Sequence, residues 1–209
     1  TPSKISCTSC HSTHETFDFE NDGKKQKSRP IQILFQNHGE TLNPFRKVQN
    51  IIDEALKISG VDENNIEKER ESVLDSVGFP NELYNRRGYQ LSGGEQQRAA
   101  LSRLLAVKPA LLILDEPFSA QDIESQLNLV KLFNQLNKDF NLTMICISHD
   151  LRILSNLADR IIILKDGEIV ESGETKEVFN NPKEDYTKFL LSAEALNLTY
   201  EEIQISSKQ

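Results

Sequence analysis

The sequence lacks a glycine-rich phosphate loop: no GxxxxGK[ST] pattern occurs in its 209 residues. That pattern cradles nucleotide phosphates with backbone N–H groups and a lysine. A site for a nucleotide has to be argued from other segments of the chain.

Cysteine, methionine and long apolar runs are also scarce. Three cysteines in an acidic chain do not indicate a disulfide framework. No apolar run approaches the roughly 20 residues that cross a bilayer, and no basic and then apolar leader is present, so a membrane role is expected to be peripheral. The only methionine is Met144, so the chain from Thr1 is expected to be a processed product or a fragment, and the missing loop favours a fragment.

The charge is mainly acidic. A net charge of -8 and a pI near 5.1 argue against a nucleic-acid backbone as the principal partner, because such binding needs many basic residues. A soluble cytoplasmic protein is expected. The length and the 37% hydrophobic content favour one core with a smaller lobe.

The first half of the chain predicts an edge hairpin, a strand and a helical lobe. Alternating residues around 16–24 predict the hairpin, and the apolar run 31–36 predicts a buried strand that ends at Gln36. Apolar residues then recur at helical spacing over 44–90, with Asn43 as the expected cap and Pro44 in the first turn.

The second half alternates between helices and buried strands, which predicts an α/β fold. The helices are expected at 93–107, 122–138 and 150–158, and the strands at 111–115, 143–148 and 161–164. This alternation predicts a parallel sheet covered on both faces. Asp166 and Gly167 predict a hairpin, and the tail from Glu174 is expected to be helical.

The segment LSGGEQ, residues 91–96, predicts an open helix start. Ser92 and Glu95 have the spacing of a capping box, and Gly93 and Gly94 leave the first N–H groups unobstructed. Such a helix start suits a phosphate. Taken alone, an ordinary capped helix explains the segment equally well.

Polar residues follow three of the predicted strands. Asp115 and Glu116 lie at the end of a buried strand, where open α/β sheets bind ligands. Of two adjacent carboxylates there, one can hold magnesium while the other faces an attacking water. His149 follows the next strand and could hydrogen-bond a γ-phosphate; Gln36 could reach a metal or water. Each of them, taken singly, is better explained as an ordinary turn or loop residue.

The order and spacing of these segments resemble the ATP-binding subunits of ABC transporters. The matching segments are the Q-loop glutamine Gln36, the signature at 91–96, the Walker B strand at 111–116, the D-loop at 119–122 and the switch histidine His149. The resemblance implies a P-loop NTPase-like parallel sheet core with an inserted helical subdomain. The Walker A strand and helix would precede Thr1, so the core is expected to be incomplete and to expose apolar surface.

The resemblance also implies residue roles. Asp115 would hold magnesium through water, with Gln36 near the metal; Glu116 would be the general base and His149 would contact the γ-phosphate. The residues implied to bind nucleotide in the site of a partner subunit are Ser92, Gly93, Gly94 and Gln96. Asp122 is grouped with them and would couple the two sites of the dimer. The implied divisions are 1–43 for edge strands and Q-loop, 44–90 for the helical subdomain, 91–173 for the ATPase core and 174–209 for the tail.

Two further segments resemble importers of peptides, nickel or metallophores. They are NHGETLNP after Gln36, in which Asn37 and His38 depart from the usual residues, and NNPKEDYTKFLLSA near the end. The resemblance implies an ATPase using ATP and Mg²⁺ at the cytoplasmic face of the cell membrane, with permease subunits and a second ATP-binding subunit as partners and no nucleic acid. This chain alone is expected not to bind ATP. The alternatives are a non-catalytic truncated or degenerate subunit and an ATP-driven translation or repair factor.

A short cysteine and histidine segment also has the form of a metal or haem site. It contains Cys7, Cys10, His11 and His14. Nothing else in the chain argues for haem, and four zinc ligands in so short a span would be strained. An ordinary polar segment is the favoured interpretation.

Overall fold

The computed structural model describes residues 31–36, 42–119 and 121–193. The predicted hairpin at 16–24 and the cysteine and histidine segment at 7–14 lie outside the described residues, as does the end of the predicted helical tail.

A three-stranded parallel sheet forms the centre of the fold. Its strands are β1 (Ile31–Leu34), β2 (Leu111–Asp115) and β3 (Thr143–Ile147), in the order β1-β2-β3. Ile33 pairs with Ile113, which pairs with Ile145. The prediction of an α/β fold with a parallel sheet is therefore confirmed, although β1 ends two residues before Gln36.

The two faces of this sheet differ in burial. Leu34, Leu112 and Leu114 point into the main core and are at most 1% exposed. Side chains on the other face of the edge strands remain 38–52% exposed: Ile31, Ile33, Phe35, Ile145 and Ile147. The prediction that both faces would be covered is wrong for the described residues, because their helices bury only one set of alternating side chains.

The helical lobe contains α1 (Val48–Ser59) and α2 (Ile66–Ser76), with one-turn 3₁₀ segments at Glu63–Asn65, Asn81–Leu83 and Gly88–Gln90. Leu56, Leu74 and Leu101 are fully buried where α1 and α2 pack against the helix α3 (Gly93–Leu105). The predicted cap was wrong. The Asn43 side chain accepts a bond from the Phe45 N–H at 3.0 Å, which makes a local turn, and α1 begins only at Val48.

The remaining helices and strands follow their predictions closely, with one exception. The helices are α3 (Gly93–Leu105), α4 (Ile123–Phe140), α5 (Leu151–Leu157) and α6 (Thr175–Asn180), and residues 185–193 are also helical. The exception is β4 (Arg160–Lys165), which was expected in the parallel sheet but pairs antiparallel with β5 (Glu168–Glu174) in a separate sheet.

The hairpin between β4 and β5 has a local cause. Asp166 and Gly167 both have positive φ, 52° and 84°, as a tight hairpin turn requires. A strand that can pair with its sequence neighbour through such a turn does not need a distant partner. None of the described helices is long and apolar enough to cross a membrane.

Candidate functional site

The acidic pair lies at the carboxyl end of β2. Asp115 is the last residue of the strand and is half-buried. Glu116 leaves the strand with φ of 46°, a left-handed conformation that costs a non-glycine residue about 1–3 kcal/mol. The Glu116 N–H donates to the Ile147 carbonyl at 3.0 Å, which holds the residue in this conformation. Its backbone therefore departs from the extended strand that the sequence predicts.

His149 contacts the carboxylate of Glu116. Its Nδ1 lies 3.0 and 3.1 Å from the two carboxylate oxygens. Asp115 pairs with Ile147 in the sheet, so the residues after the two strands emerge side by side. When Glu116 is ionised and His149 neutral, the contact needs the proton on Nδ1, which leaves Nε2 as an acceptor. The His149 side chain is 82% exposed, so a ligand can reach it.

Gln36 lies beyond the same edge of the sheet. It follows β1, which pairs with β2 in parallel through Leu34 and Leu114, and it is exposed. The carboxyl ends of adjacent parallel strands share one edge, so Gln36 lies on the side of the sheet where Asp115 and Glu116 emerge.

The start of α3 forms the capping box that the sequence predicts. The Ser92 N–H donates to the Glu95 carboxylate at 2.7 Å, and the Glu95 N–H donates to the Ser92 hydroxyl at 3.4 Å. Gly93 and Gly94 are exposed, and a Cβ built on either would meet nothing within 4 Å. The described residues therefore impose no steric need for glycine at this helix tip.

Two predicted site residues make internal contacts. The Gln96 amide donates to the carbonyl oxygens of Gly88 and Leu91 at 3.0 and 3.4 Å, which turns it back toward the preceding loop. Asp122 caps α4 and accepts from the N–H and hydroxyl of Ser125 at 2.9 and 2.8 Å. These two bonds lower the pKa of Asp122 below its ordinary value. Their roles toward a nucleotide stay predictions.

Sequence reasoning missed Gln97. This side chain is only 2% exposed, and its amide donates to the Pro117 carbonyl at 2.9 Å, directly after Glu116. The available signal was its position: Gln97 shares the buried face of α3 with Leu101 and Leu104, so a polar side chain there needs a partner.

The one cysteine that the structure describes, Cys146, is half-buried and free. Burial, together with the nearby charge of Glu116, raises the pKa of Cys146 to about 12. Its thiol is neutral at physiological pH and does not supply a nucleophile.

Comparison with known proteins places this geometry in a family. A family model described as ABC transporter matches residues 5–119. The dipeptide transport ATP-binding protein DppF of Haemophilus influenzae is 34% identical over 201 residues, which is 93% of this chain and 61% of that protein. The chain thus spans about three fifths of the length of this relative.

Solved structures share the fold. cbiO1 from Clostridium perfringens, part of the ABC transporter complex cbiONQ, matches with a TM-score of 0.68 and 25% identity over 86% of this chain and 68% of that chain. The ATP-binding cassette MJ0796, in a dimeric post-hydrolysis state bound to ADP and Pi, matches with a TM-score of 0.62 and 26% identity over 77% of this chain and 70% of that one. The fold is therefore α/β and P-loop NTPase-like. Because the family model matches more than half of the residues and the relative aligns with almost the whole chain, the protein belongs to the ABC transporter family.

Proposed function

We propose that the chain belongs to an ATP-hydrolysing subunit of an ABC transporter that drives import of peptides, nickel or metal chelates. The observation that carries the proposal is the contact between Glu116 and His149 at the carboxyl edge of the parallel sheet. The dipeptide transporter relative favours peptides among the three cargoes.

Glu116 is proposed as the general base for the attacking water. Its carboxylate lies beyond the strand end, with its backbone in a left-handed conformation of the kind that recurs at active sites. His149 holds Glu116 through Nδ1, which leaves Nε2 and the exposed ring edge for the γ-phosphate.

Asp115 and Gln36 are proposed to hold Mg²⁺. Magnesium prefers oxygen ligands and is held in nucleotide sites by one or two protein groups together with waters and phosphates. The carboxylate of Asp115 and the amide oxygen of Gln36 fit that preference at one edge of the sheet. When bound, the ion neutralises charge that develops on the phosphates.

The tip of α3 is proposed to complete the nucleotide site of a second ATP-binding subunit. Gly93 and Gly94 are exposed and no described residue crowds them, so a phosphate can approach the first N–H groups of the helix. Ser92 would join them, and Asp122 would couple the two sites. The dimeric state of the MJ0796 structure supports such an arrangement. Permease subunits would bring the assembly to the cytoplasmic face of the membrane.

This chain by itself is proposed not to bind ATP, because it contains no GxxxxGK[ST] loop. The division into 1–43, 44–90, 91–173 and 174–209 is kept as a proposal for its parts. The same absence favours a second candidate, a non-catalytic subunit that contributes only the α3 tip or a docking surface.

The variant Glu116→Gln in the assembled transporter tests the catalytic proposal. We expect hydrolysis to fall by about 10²–10⁴-fold, the usual contribution of a general base, while ATP binding persists. Phosphate release and binding of radiolabelled ATP would be measured in parallel. Glu82→Gln, which changes an exposed carboxylate in the helical lobe, serves as the control. Full turnover by Glu116→Gln would overturn the base assignment and favour the non-catalytic candidate.

A further inference from the structure

The loop between β2 and α4 is held by side chains that bond three successive carbonyl oxygens. The Glu116 carbonyl accepts from the Ser119 hydroxyl at 2.9 Å, the Pro117 carbonyl from Gln97 at 2.9 Å and the Phe118 carbonyl from Gln126 at 3.3 Å. Ser119 and Gln126 lie in the loop or in the helix that follows it. Gln97 is different, because it reaches the loop from α3.

Gln97 contacts both ends of this loop. Its amide nitrogen donates to the carbonyl of Pro117, the residue after Glu116, and its amide oxygen accepts from Gln121 Nε2 at 2.8 Å, beside Asp122. Because Gln121 donates a hydrogen bond, the oxygen of the Gln97 amide faces Gln121 and its nitrogen faces the Pro117 carbonyl. A buried amide with both ends bonded is held in one orientation.

Gln97 also lies one helical turn after Gly93, on the same rigid helix as the exposed tip. A displacement of that tip therefore moves Gln97 with it. Since Gln97 bonds the carbonyl of Pro117, the residue that follows Glu116, the movement reaches the backbone next to Glu116.

We infer that Gln97 is a positioning residue that ties Glu116 and Asp122 to the tip of α3, so that contact of the tip with a partner's nucleotide sets the position of the base in this chain's own site. The inference rests on the proposed function, because it assigns Glu116 and the α3 tip to two different nucleotides. Gln97 acts through the loop and touches no reacting atom.

Hydrogen exchange in the chain as it stands tests the physical link. Gln97→Met keeps the side-chain length and removes both hydrogen bonds. We expect the amides of Glu116 and Ser119, which bond Ile147 and Glu116, to exchange at least about ten-fold faster than in the wild type. Ser102→Ala is the matched control, because Ser102 is a buried polar residue of α3 whose hydroxyl bonds only within the helix, to Arg98. Unchanged exchange at Glu116 and Ser119 in Gln97→Met would overturn the link.

Steady-state kinetics of the assembled transporter test its consequence. We expect Gln97→Met to lower kcat by about 10- to 100-fold with an unchanged KM for ATP, since a misplaced base slows chemistry without weakening binding. Gln121 Nε2 also donates to the Pro117 carbonyl at 3.4 Å, so adding Gln121→Ala removes the remaining amide bond to that carbonyl and should lower kcat at least as far as Gln97→Met alone. A wild-type kcat in Gln97→Met overturns the inference. A wild-type assembly that hydrolyses no ATP overturns the proposed function instead, while the exchange experiment still decides whether Gln97 holds the loop.

Discussion

Several polar side chains of this protein form hydrogen bonds with backbone groups that are distant in the sequence. Glu171 on β5 is buried, and its carboxylate accepts from the N–H groups of Lys183 and Glu184 at 2.9 and 3.2 Å. These bonds attach the hairpin to the segment that leads into the helix at 185–193. The Thr187 hydroxyl and the Lys183 N–H lower the pKa of Glu171 below its ordinary value.

Acid should therefore weaken this attachment. A carboxyl whose folded pKa is below its unfolded value, about 4.3 for glutamate, contributes stability above that pH and loses it as the pH falls through the folded pKa. We expect Glu171→Gln to be less stable at pH 7 and to lose less stability than the wild type on acidification. Urea unfolding between pH 7 and pH 3 measures this. Glu168→Gln, an exposed change on the same strand, should follow the wild type, and parallel curves for Glu171→Gln and the wild type would contradict the assignment.

The parallel sheet depends on which side chains each element buries. Leu114 on β2 is fully buried beneath the helices, whereas Ile145 on the neighbouring strand points to the other face and is 49% exposed. Both are large aliphatic residues in adjacent strands, so they form a matched pair for measuring how well each face is packed.

Truncation of this pair should give unequal losses. Leu114→Ala is expected to lower the free energy of unfolding by about 2–5 kcal/mol, as for other large-to-small changes in a core. Ile145→Ala should cost less than about 1 kcal/mol, because little packing is lost. Urea denaturation at several protein concentrations would measure both. Equal losses would show that the face of Ile145 is covered in solution.

At the scale of the whole molecule, the described residues form two apolar clusters. The larger joins the parallel sheet to helices α1 to α4, and the smaller lies under the hairpin and includes Ile161, Ile163 and Val178. Cys146 packs against both clusters. The candidate site therefore lies beside the larger cluster, which contains the buried residues of β2 and α3.

ATP should nevertheless not bind to this chain alone. Each hydrogen bond between a charged phosphate and a phosphate loop contributes about 1.5–3 kcal/mol, so the loss of three costs roughly 5–9 kcal/mol, or thousands-fold in affinity. Isothermal titration calorimetry is expected to show no saturation up to about 1 mM ATP. Circular dichroism of the same sample controls for folding. Saturable binding at tens of micromolar ATP would contradict this expectation.

The sequence predicted best those features that neighbouring residues decide. The capping box at Ser92 and the hairpin turn at Asp166 and Gly167 formed as expected, because their hydrogen bonds and backbone angles are local. The start of α1 was predicted wrongly because Asn43 makes a turn instead of a cap. The placement of β4 in the parallel sheet was predicted wrongly, although its hairpin with β5 was expected, because periodicity does not show to which sheet a strand belongs.

The amino-acid order by itself determined the α/β class, the motifs that carry the family resemblance and the residues that follow each strand, since all of these depend on periodicity and on short-range spacing. Only the tertiary structure decided that His149 bonds Glu116, that Glu116 takes a left-handed backbone and that Gln97 joins α3 to the loop between β2 and α4. These contacts connect residues on different elements, and their geometry is set by how the elements pack rather than by the residues alone.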